Sequence, residues 1–166
     1  MFQYCPRCKE PIQHNPSKIE CSACDFLFFI APAPATSFVT IDSETSQLIV
    51  TVRKREPRKG MLGLIGGFME HDETIEEGAC REFAEETGYE IKPEEITYLT
   101  SATNKYHFED YEYDVIDSFF TVTVPFSKLT PLDDVDELLL IKRNELDLDK
   151  FAFMAGRLAL EEFLKQ

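Results

Sequence analysis

Gly66-Gly67-Phe68-Met69-Glu70-His71-Asp72-Glu73-Thr74-Ile75-Glu76-Glu77-Gly78-Ala79-Cys80-Arg81-Glu82-Phe83-Ala84-Glu85-Glu86-Thr87-Gly88-Tyr89 opens as a glycine loop, becomes a short helix and stops on a glycine. Thr74 and Glu77 form a Thr-x-x-Glu capping box, so the helix is expected to start at Ile75. Ile75, Ala79 and Phe83, flanked by Cys80 and Ala84, make an apolar stripe that should bury against a sheet. Glu82, Glu85 and Glu86 stand at i, i+3 and i+4 and therefore share another face. Like charges at these spacings cost a helix roughly 0.2–0.5 kcal/mol per pair. They also crowd the last turn before Gly88, where the helix dipole favours cations. A local cost with no local return points to function, most simply a divalent cation held by oxygen ligands. Gly78 lies on the carboxylate face, where a missing side chain leaves room for the preceding loop or a phosphate.

Outward from this stretch, the pattern is mixed. Thr36–Ile41 and Gln47–Val52 are β-rich runs around a polar turn, a hairpin signal. The most basic stretch of the chain, Arg53-Lys54-Arg55-Glu56-Pro57-Arg58-Lys59-Gly60, reads either as a solvated loop or as a phosphate-facing rim. Met61–Ile65 is a short strand delivering the chain to Gly66. Thr97–Phe108 and Val115–Val124 read as long strands separated by the acidic, aromatic segment Glu109–Asp114, and Leu138–Ile141 as another strand. An amphipathic helix is expected over Lys150–Leu164, with Phe153, Leu158 and Phe163 among its apolar positions. Mixed strands with separated helices indicate an α+β or sandwich architecture.

The first thirty residues have a different character. Cys5-Pro6-Arg7-Cys8 and Cys21-Ser22-Ala23-Cys24 are two Cys-x2-Cys pairs twelve residues apart. That spacing suits tetrahedral thiolate coordination of zinc by Cys5, Cys8, Cys21 and Cys24. Disulfides are disfavoured in a reducing compartment, and a redox pair lacks its βαβ context. So short a segment buries little core, so the metal would supply most of its folding energy. His14, between the pairs, is expected on the surface, and Cys80 as a small buried residue. Phe26–Ile30 reads as a closing strand or packing surface. The expected organisation is a zinc ribbon over 1–30, a hinge at 31–35 (Ala-Pro-Ala-Pro-Ala) and a larger domain over 36–166.

Composition narrows the function classes. At 166 residues and 43% hydrophobic, the chain can bury a core, and it has no apolar run of membrane-spanning length. Its start lacks a basic region followed by an apolar stretch, so the chain is expected in the cytoplasm. A net charge of −14 argues against a broad nucleic-acid footprint and suits an acidic site that attracts phosphates once a cation is bound. The charges of the ribbon are balanced, so a docking or dimer-forming role is at least as well supported as a nucleic-acid contact.

The quoted stretch resembles the Nudix hydrolase family. Its motif, Gly, five residues, Glu, seven residues, Arg-Glu-bulky-x-Glu-Glu-x-Gly-bulky, is met by Gly67, Glu73 and Arg81-Glu82-Phe83-Ala84-Glu85-Glu86-Thr87-Gly88-Tyr89. Nine fixed positions in twenty-three make the match specific. Phe83 and Tyr89 fill bulky positions that are usually aliphatic, and His71-Asp72 replace a common Pro-Gly. The resemblance implies an α/β/α sandwich with a mixed sheet and Mg²⁺- or Mn²⁺-dependent hydrolysis of a nucleoside diphosphate linked to another group. It further implies that Glu82, Glu85 and Glu86 bind the metal, helped by a backbone carbonyl near Gly66. Glu73 and Arg81 would pair to orient them, and Glu70 would add a metal or substrate contact. Glu82 is the first choice of general base, with Glu112, Asp114 and Asp134 as alternatives outside the motif.

A zinc ribbon joined to such a domain is similar in architecture to the NADH pyrophosphatases. Their downstream Ser-Gln-Pro-Trp-type signature is missing, since the chain has no tryptophan. NAD(H)-, ADP-ribose- and NTP-like substrates therefore stay open, and Tyr106, Phe108, Tyr111 and Tyr113 are candidates to stack on a base. The alternative function is a non-catalytic nucleotide sensor whose ribbon contacts a protein or nucleic acid.

Overall fold

The computed structural model describes residues 2–13, 15–108 and 111–166. The expectations for His14, for the Phe108 ring and for residues 109–110 of the acidic segment fall outside the described residues. The chain divides into two units, Met1–Pro32 and Ala33–Gln166.

In the first unit the two cysteine pairs adopt the same turn. Lys9 N–H donates to the Cys5 carbonyl and Asp25 N–H to the Cys21 carbonyl. Both Lys9 and Asp25 have positive φ, 65° and 55°, which swings the chain back on itself. Each turn is then closed by its first cysteine, Cys5 N–H bonding the Glu10 carbonyl and Cys21 N–H that of Phe26. The second turn links β1 (Lys18–Glu20) to β2 (Leu27–Phe29), an antiparallel pair with Ile19 opposite Phe28.

The second unit is organised on β3 (Ala33–Asp42). Its Phe38 and Val39 are both fully buried, which a strand shows only when both faces of its sheet are covered. One edge of β3 pairs in parallel with β8 (Tyr111–Val124) over its whole length. The other edge is divided. Ala35–Phe38 pair with β6 (Ile65–Phe68), while Thr40 and Ile41 pair with β4 (Leu48–Arg53). β4 also pairs with β5 (Leu62–Gly63) and β9 (Val135–Ile141), and β7 (Thr97–Phe108) borders β8. Every pairing except β3–β8 is antiparallel. Ala33, Pro34 and Ala35, expected in the hinge, are instead the first residues of β3. Proline is tolerated there because its missing N–H falls at a strand start, while its carbonyl accepts from Met69 N–H. The acidic segment expected between two strands likewise contributes Tyr111–Asp114 to β8.

Helix α1 (Ile75–Thr87) covers one face of the sheet through Ala79 and Phe83, which meet Phe38, Ile65 and Phe120. The Phe38 and Phe83 rings are edge-to-face at 5.2 Å. Both halves of the Thr74–Glu77 capping box form, and Gly88 ends the helix in the left-handed conformation (φ 69°). Ile75, expected in the buried stripe, is exposed, because burial of the helix begins only at Gly78. Helix α2 (Met154–Leu164) covers the other face, with Ala155 and Ala159 against Phe119, and Leu160 and Phe163 among Val39, Leu48 and Val50. It is shorter than expected. Leu148–Lys150 form a separate 3-10 turn, and Leu158 faces solvent. The result is an α/β/α sandwich with a mixed sheet.

Candidate active site and candidate metal centre

The divided edge of β3 creates the site. Where β6 takes over from β4, the sheet opens a cavity of about 150 Å³. Its lining includes Ala35 and Ser37 of β3, Arg53, Leu64, Gly66 and Gly67, and Glu86 from α1. Two glycines are required here. Gly66 has φ 141°, and a side chain on it would overlap the backbone of Thr36 and Ser37. A Cβ on Gly67 would come within 2.5 Å of the Glu82 carboxylate. The bare backbone of β6 is what lets the acidic face of α1 lie against the strand. Gly78 serves the same end on the helix. A side chain there would collide with Met69 and Glu73, so the space belongs to the loop.

Arg81 is the hub of the motif. Its Nε and Nη2 donate to Glu73 in a bidentate pair at 3.0 and 2.7 Å. Nη1 donates to Glu82 at 2.8 Å and to Glu85 at 3.1 Å, and Nη2 also reaches the Phe68 carbonyl. Glu73 additionally accepts from Glu70 N–H at 2.6 Å, so the loop before α1 is fastened to the helix. The Arg81 guanidinium and that backbone donor hold the Glu73 carboxyl down to about 2. The Glu70 side chain is exposed, and among the described residues its bond at the site is the N–H donated to Glu73.

Glu86 behaves differently from its neighbours. It is buried, lines the cavity and accepts from Gly66 N–H at 2.9 Å. Burial pushes its carboxyl up to about 8. The Gly66 donor and Arg53 oppose that rise, while Glu82 and Asp134 add to it. Burial also raises Glu82, against the pull of Arg81. The expected trio is thus divided: Glu82 and Glu85 are held by Arg81, Glu86 by β6. Among the described residues, the only tight cluster of three or more metal-type side chains is formed by the cysteines. As donors, the carboxylates still suit a hard cation, two of them packed against a glycine backbone and raised chiefly by burial.

The four thiols show no such division. Their sulfurs all lie within 4.8 Å of one another, with Cys5–Cys24 at 3.7 Å and Cys8–Cys21 at 3.5 Å. Tetrahedral zinc with Zn–S bonds near 2.3 Å sets sulfur–sulfur edges of about 3.8 Å, so the set fits that ion. The cysteines are free thiols, far from disulfide distance.

The structure also sorts the wider candidates. Of the three carboxylates outside the motif, Glu112 and Asp114 pair with Lys105, whereas Asp134 lines the cavity beside Glu86. Asp134 also meets Arg55 at 2.8 Å. Of the basic stretch, Arg53 lines the cavity, with its guanidinium 4.8 Å from the centre of the Phe153 ring. Lys54 and Arg55 turn to Asp133 and Asp134 instead. Among the aromatic residues, Tyr106 lines the cavity between Phe68 and Phe153, at 5.4 and 5.8 Å, while Tyr111 and Tyr113 are exposed and pair with each other.

Among the lining residues that sequence reasoning missed are Phe68, Phe153 and Asp117. For Asp117 a signal existed. It lies between the buried Val115 and Phe119 at strand spacing, so an acid sits on an inward-facing row.

The NUDIX domain model matches residues 31–158. The chain is 32% identical over 120 residues to the ADP-ribose pyrophosphatase of Methanocaldococcus jannaschii, covering 72% of this chain and 68% of that protein. It is 31% identical over 92 residues to the NAD-capped RNA hydrolase NudC of Vibrio vulnificus, covering 54% of this chain but only 34% of that one. In structure it is similar to a NUDIX hydrolase from Nitrosomonas europaea, with TM-score 0.70, 19% identity, and 99% and 91% of the two chains covered. It also resembles the NUDIX domain of Shewanella oneidensis NrtR complexed with ADP ribose, with TM-score 0.65, 21% identity, and 82% and 89% covered. Those two similarities concern the fold. The motif geometry and the extent of the sequence match together make this chain a member of the Nudix family.

Proposed function

We propose that the chain is a divalent-metal-dependent pyrophosphohydrolase that cleaves the diphosphate linkage of a nucleoside diphosphate derivative, ADP-ribose-like in kind. The observation that carries this reading is Glu86. It is a buried carboxylate fixed to Gly66 at a cavity wall, next to Glu82 and on the helix that Arg81 fastens to its preceding loop. Glu82, Glu85 and Glu86 would hold Mg²⁺ or Mn²⁺, with the Gly66–Gly67 backbone alongside. Such a cation supplies charge neutralisation for the diphosphate and acidity for an attacking water. Arg81 and Glu73 act as positioning residues. Arg53 offers positive charge to a phosphate from the cavity wall. Of the base candidates outside the motif, Asp134 is the one at the cavity, and it competes with Glu82 for the role of proton acceptor. Cys5, Cys8, Cys21 and Cys24 would hold Zn²⁺ as the structural centre of an N-terminal ribbon, with residues 33–166 as the catalytic domain. Free thiols suit a cytoplasmic location, and no helix among the described residues is long and apolar enough to cross a membrane.

The test is a nucleotide panel with product identification in Mg²⁺ or Mn²⁺. ADP-ribose is expected to yield AMP and ribose 5-phosphate, and Glu85→Gln and Glu86→Gln to abolish that yield. Full activity in both variants would remove the assignment. Binding without turnover would favour the nucleotide-sensing alternative.

A further inference from the structure

Asp117 is the acidic residue of the cavity that the hydrolytic machinery leaves unused. It stands on β8 directly opposite Ala35 of β3 and Ala102 of β7, so its lateral neighbours are methyl groups. Among the described residues no side chain or backbone donor bonds to it, and burial alone raises its carboxyl to about 6. The other polar groups of the cavity do not rescue it. Arg53 donates to the Pro57 carbonyl, and Ser37, Asn104 and Tyr106 share the lining without a bond to it. A carboxylate kept in such surroundings costs free energy unless something arrives to donate to it.

Its position says what could arrive. The register row through Asp117 runs Ala102, Asp117, Ala35, Phe68, and the neighbouring row runs Phe119, Ser37, Gly66. Asp117 is therefore two strands from β6, about 10 Å across the sheet from the Gly66–Gly67 backbone. Between them the floor is small, and beside them stand the rings of Phe68, Tyr106 and Phe153. A flat ring fits against such walls, and a carboxylate at its edge accepts N–H donors while repelling a carbonyl oxygen.

We propose that Asp117 is a specificity-determining residue that accepts hydrogen bonds from the amino-bearing edge of a nucleobase packed against Tyr106 and Phe153. The proposal rests on the reading above that the cavity takes a nucleoside diphosphate derivative.

The experiment compares dissociation constants of the ADP-, GDP- and IDP-ribose series by calorimetry. It uses the full chain with Ca²⁺ in place of Mg²⁺, and chromatography verifies that no turnover occurs. Hypoxanthine lacks the exocyclic amine that adenine and guanine carry. Wild-type protein is expected to prefer one amino-bearing base over hypoxanthine by about tenfold or more. Asp117→Asn, nearly isosteric and able to donate, should bring that ratio to within about twofold, with its melting curve showing the fold intact. An unchanged ratio in Asp117→Asn overturns the proposal, as does failure of all three ligands to bind. So does a result in which 2′-deoxy-ADP-ribose, run as a fourth ligand, separates wild type from Asp117→Asn while the three bases do not, which would assign the carboxylate to the sugar. The ratio is independent of turnover. A chain that shows it but hydrolyses nothing loses the hydrolase assignment and keeps this one.

Discussion

The chain carries two clusters of candidate metal ligands, thiols and carboxylates, and they are prepared in opposite ways. The four thiols sit on two copies of one backbone turn and converge, and among the described residues no Lys or Arg is paired with them. The three glutamates of α1 have an internal cation, Arg81, which occupies Glu82 and Glu85 while Glu86 is tied to the next strand. A structural centre in a segment with little core gains from being assembled by the ion itself, since metal binding is then folding free energy. A catalytic centre must exist with and without its cation. Arg81 offsets part of the repulsion among three carboxylates on one helix face.

The largest effect that could break this contrast is metal removal. Chelation, or Cys21→Ser, should collapse the dispersed amide resonances of residues 2–32 while leaving those of 33–166 in place. Structural zinc contributes about 10–16 kcal/mol in comparable peptides. An unchanged first unit in metal-free protein would show that the thiols are not its fold determinant. Next in size is Glu86→Gln, expected to lower turnover by about 10²-fold or more. The same substitution should raise the melting temperature of the metal-free protein, because it removes a charge that burial opposes. A parallel loss of stability would mean that the Gly66 bond matters more than the charge. Arg81→Lys keeps the charge but not the fork, and about a tenfold loss of turnover is expected, in the range of groups that orient metal ligands. Equal activity would reduce Arg81 to a counter-charge.

The smallest effect is in pH dependence. Arg81 and the Glu70 N–H depress the Glu73 carboxyl to about 2, below its ordinary 4.5. The unfolded chain therefore binds this proton first as pH falls. The stabilisation is fully present above the ordinary value and is lost as pH drops through about 2. Melting temperatures of Glu73→Gln should accordingly depend less on pH than wild type between about 4.5 and 2. Parallel curves would show that the pair does not contribute in that window.

Much of this was legible in the chain itself. The capping box, the end at Gly88, the cysteine pairs and β7 are set by local chemistry, and the structure has them where spacing puts them. What sequence could not show depends on partners far along the chain. Ile75 follows the helical stripe yet is exposed, because burial of the helix begins only at Gly78. Pro34 reads as a connector but enters a strand, because its neighbours need only its carbonyl. Asp134, Phe153 and Asp117 come to one cavity only after β8, β9 and α2 assemble. Within the motif, equivalent helix spacing concealed the unequal tethering of Glu82, Glu85 and Glu86.

Because β3 lends one edge to two successive partners, the floor of the opening in the sheet is made by strand backbones. Ladder hydrogen bonds fix that floor whatever side chains point inward. Positions such as 37, 104 and 117 can then vary in chemistry while the scaffold keeps its register. A lineage using this architecture could change its ligand by single substitutions without first acquiring a more stable fold.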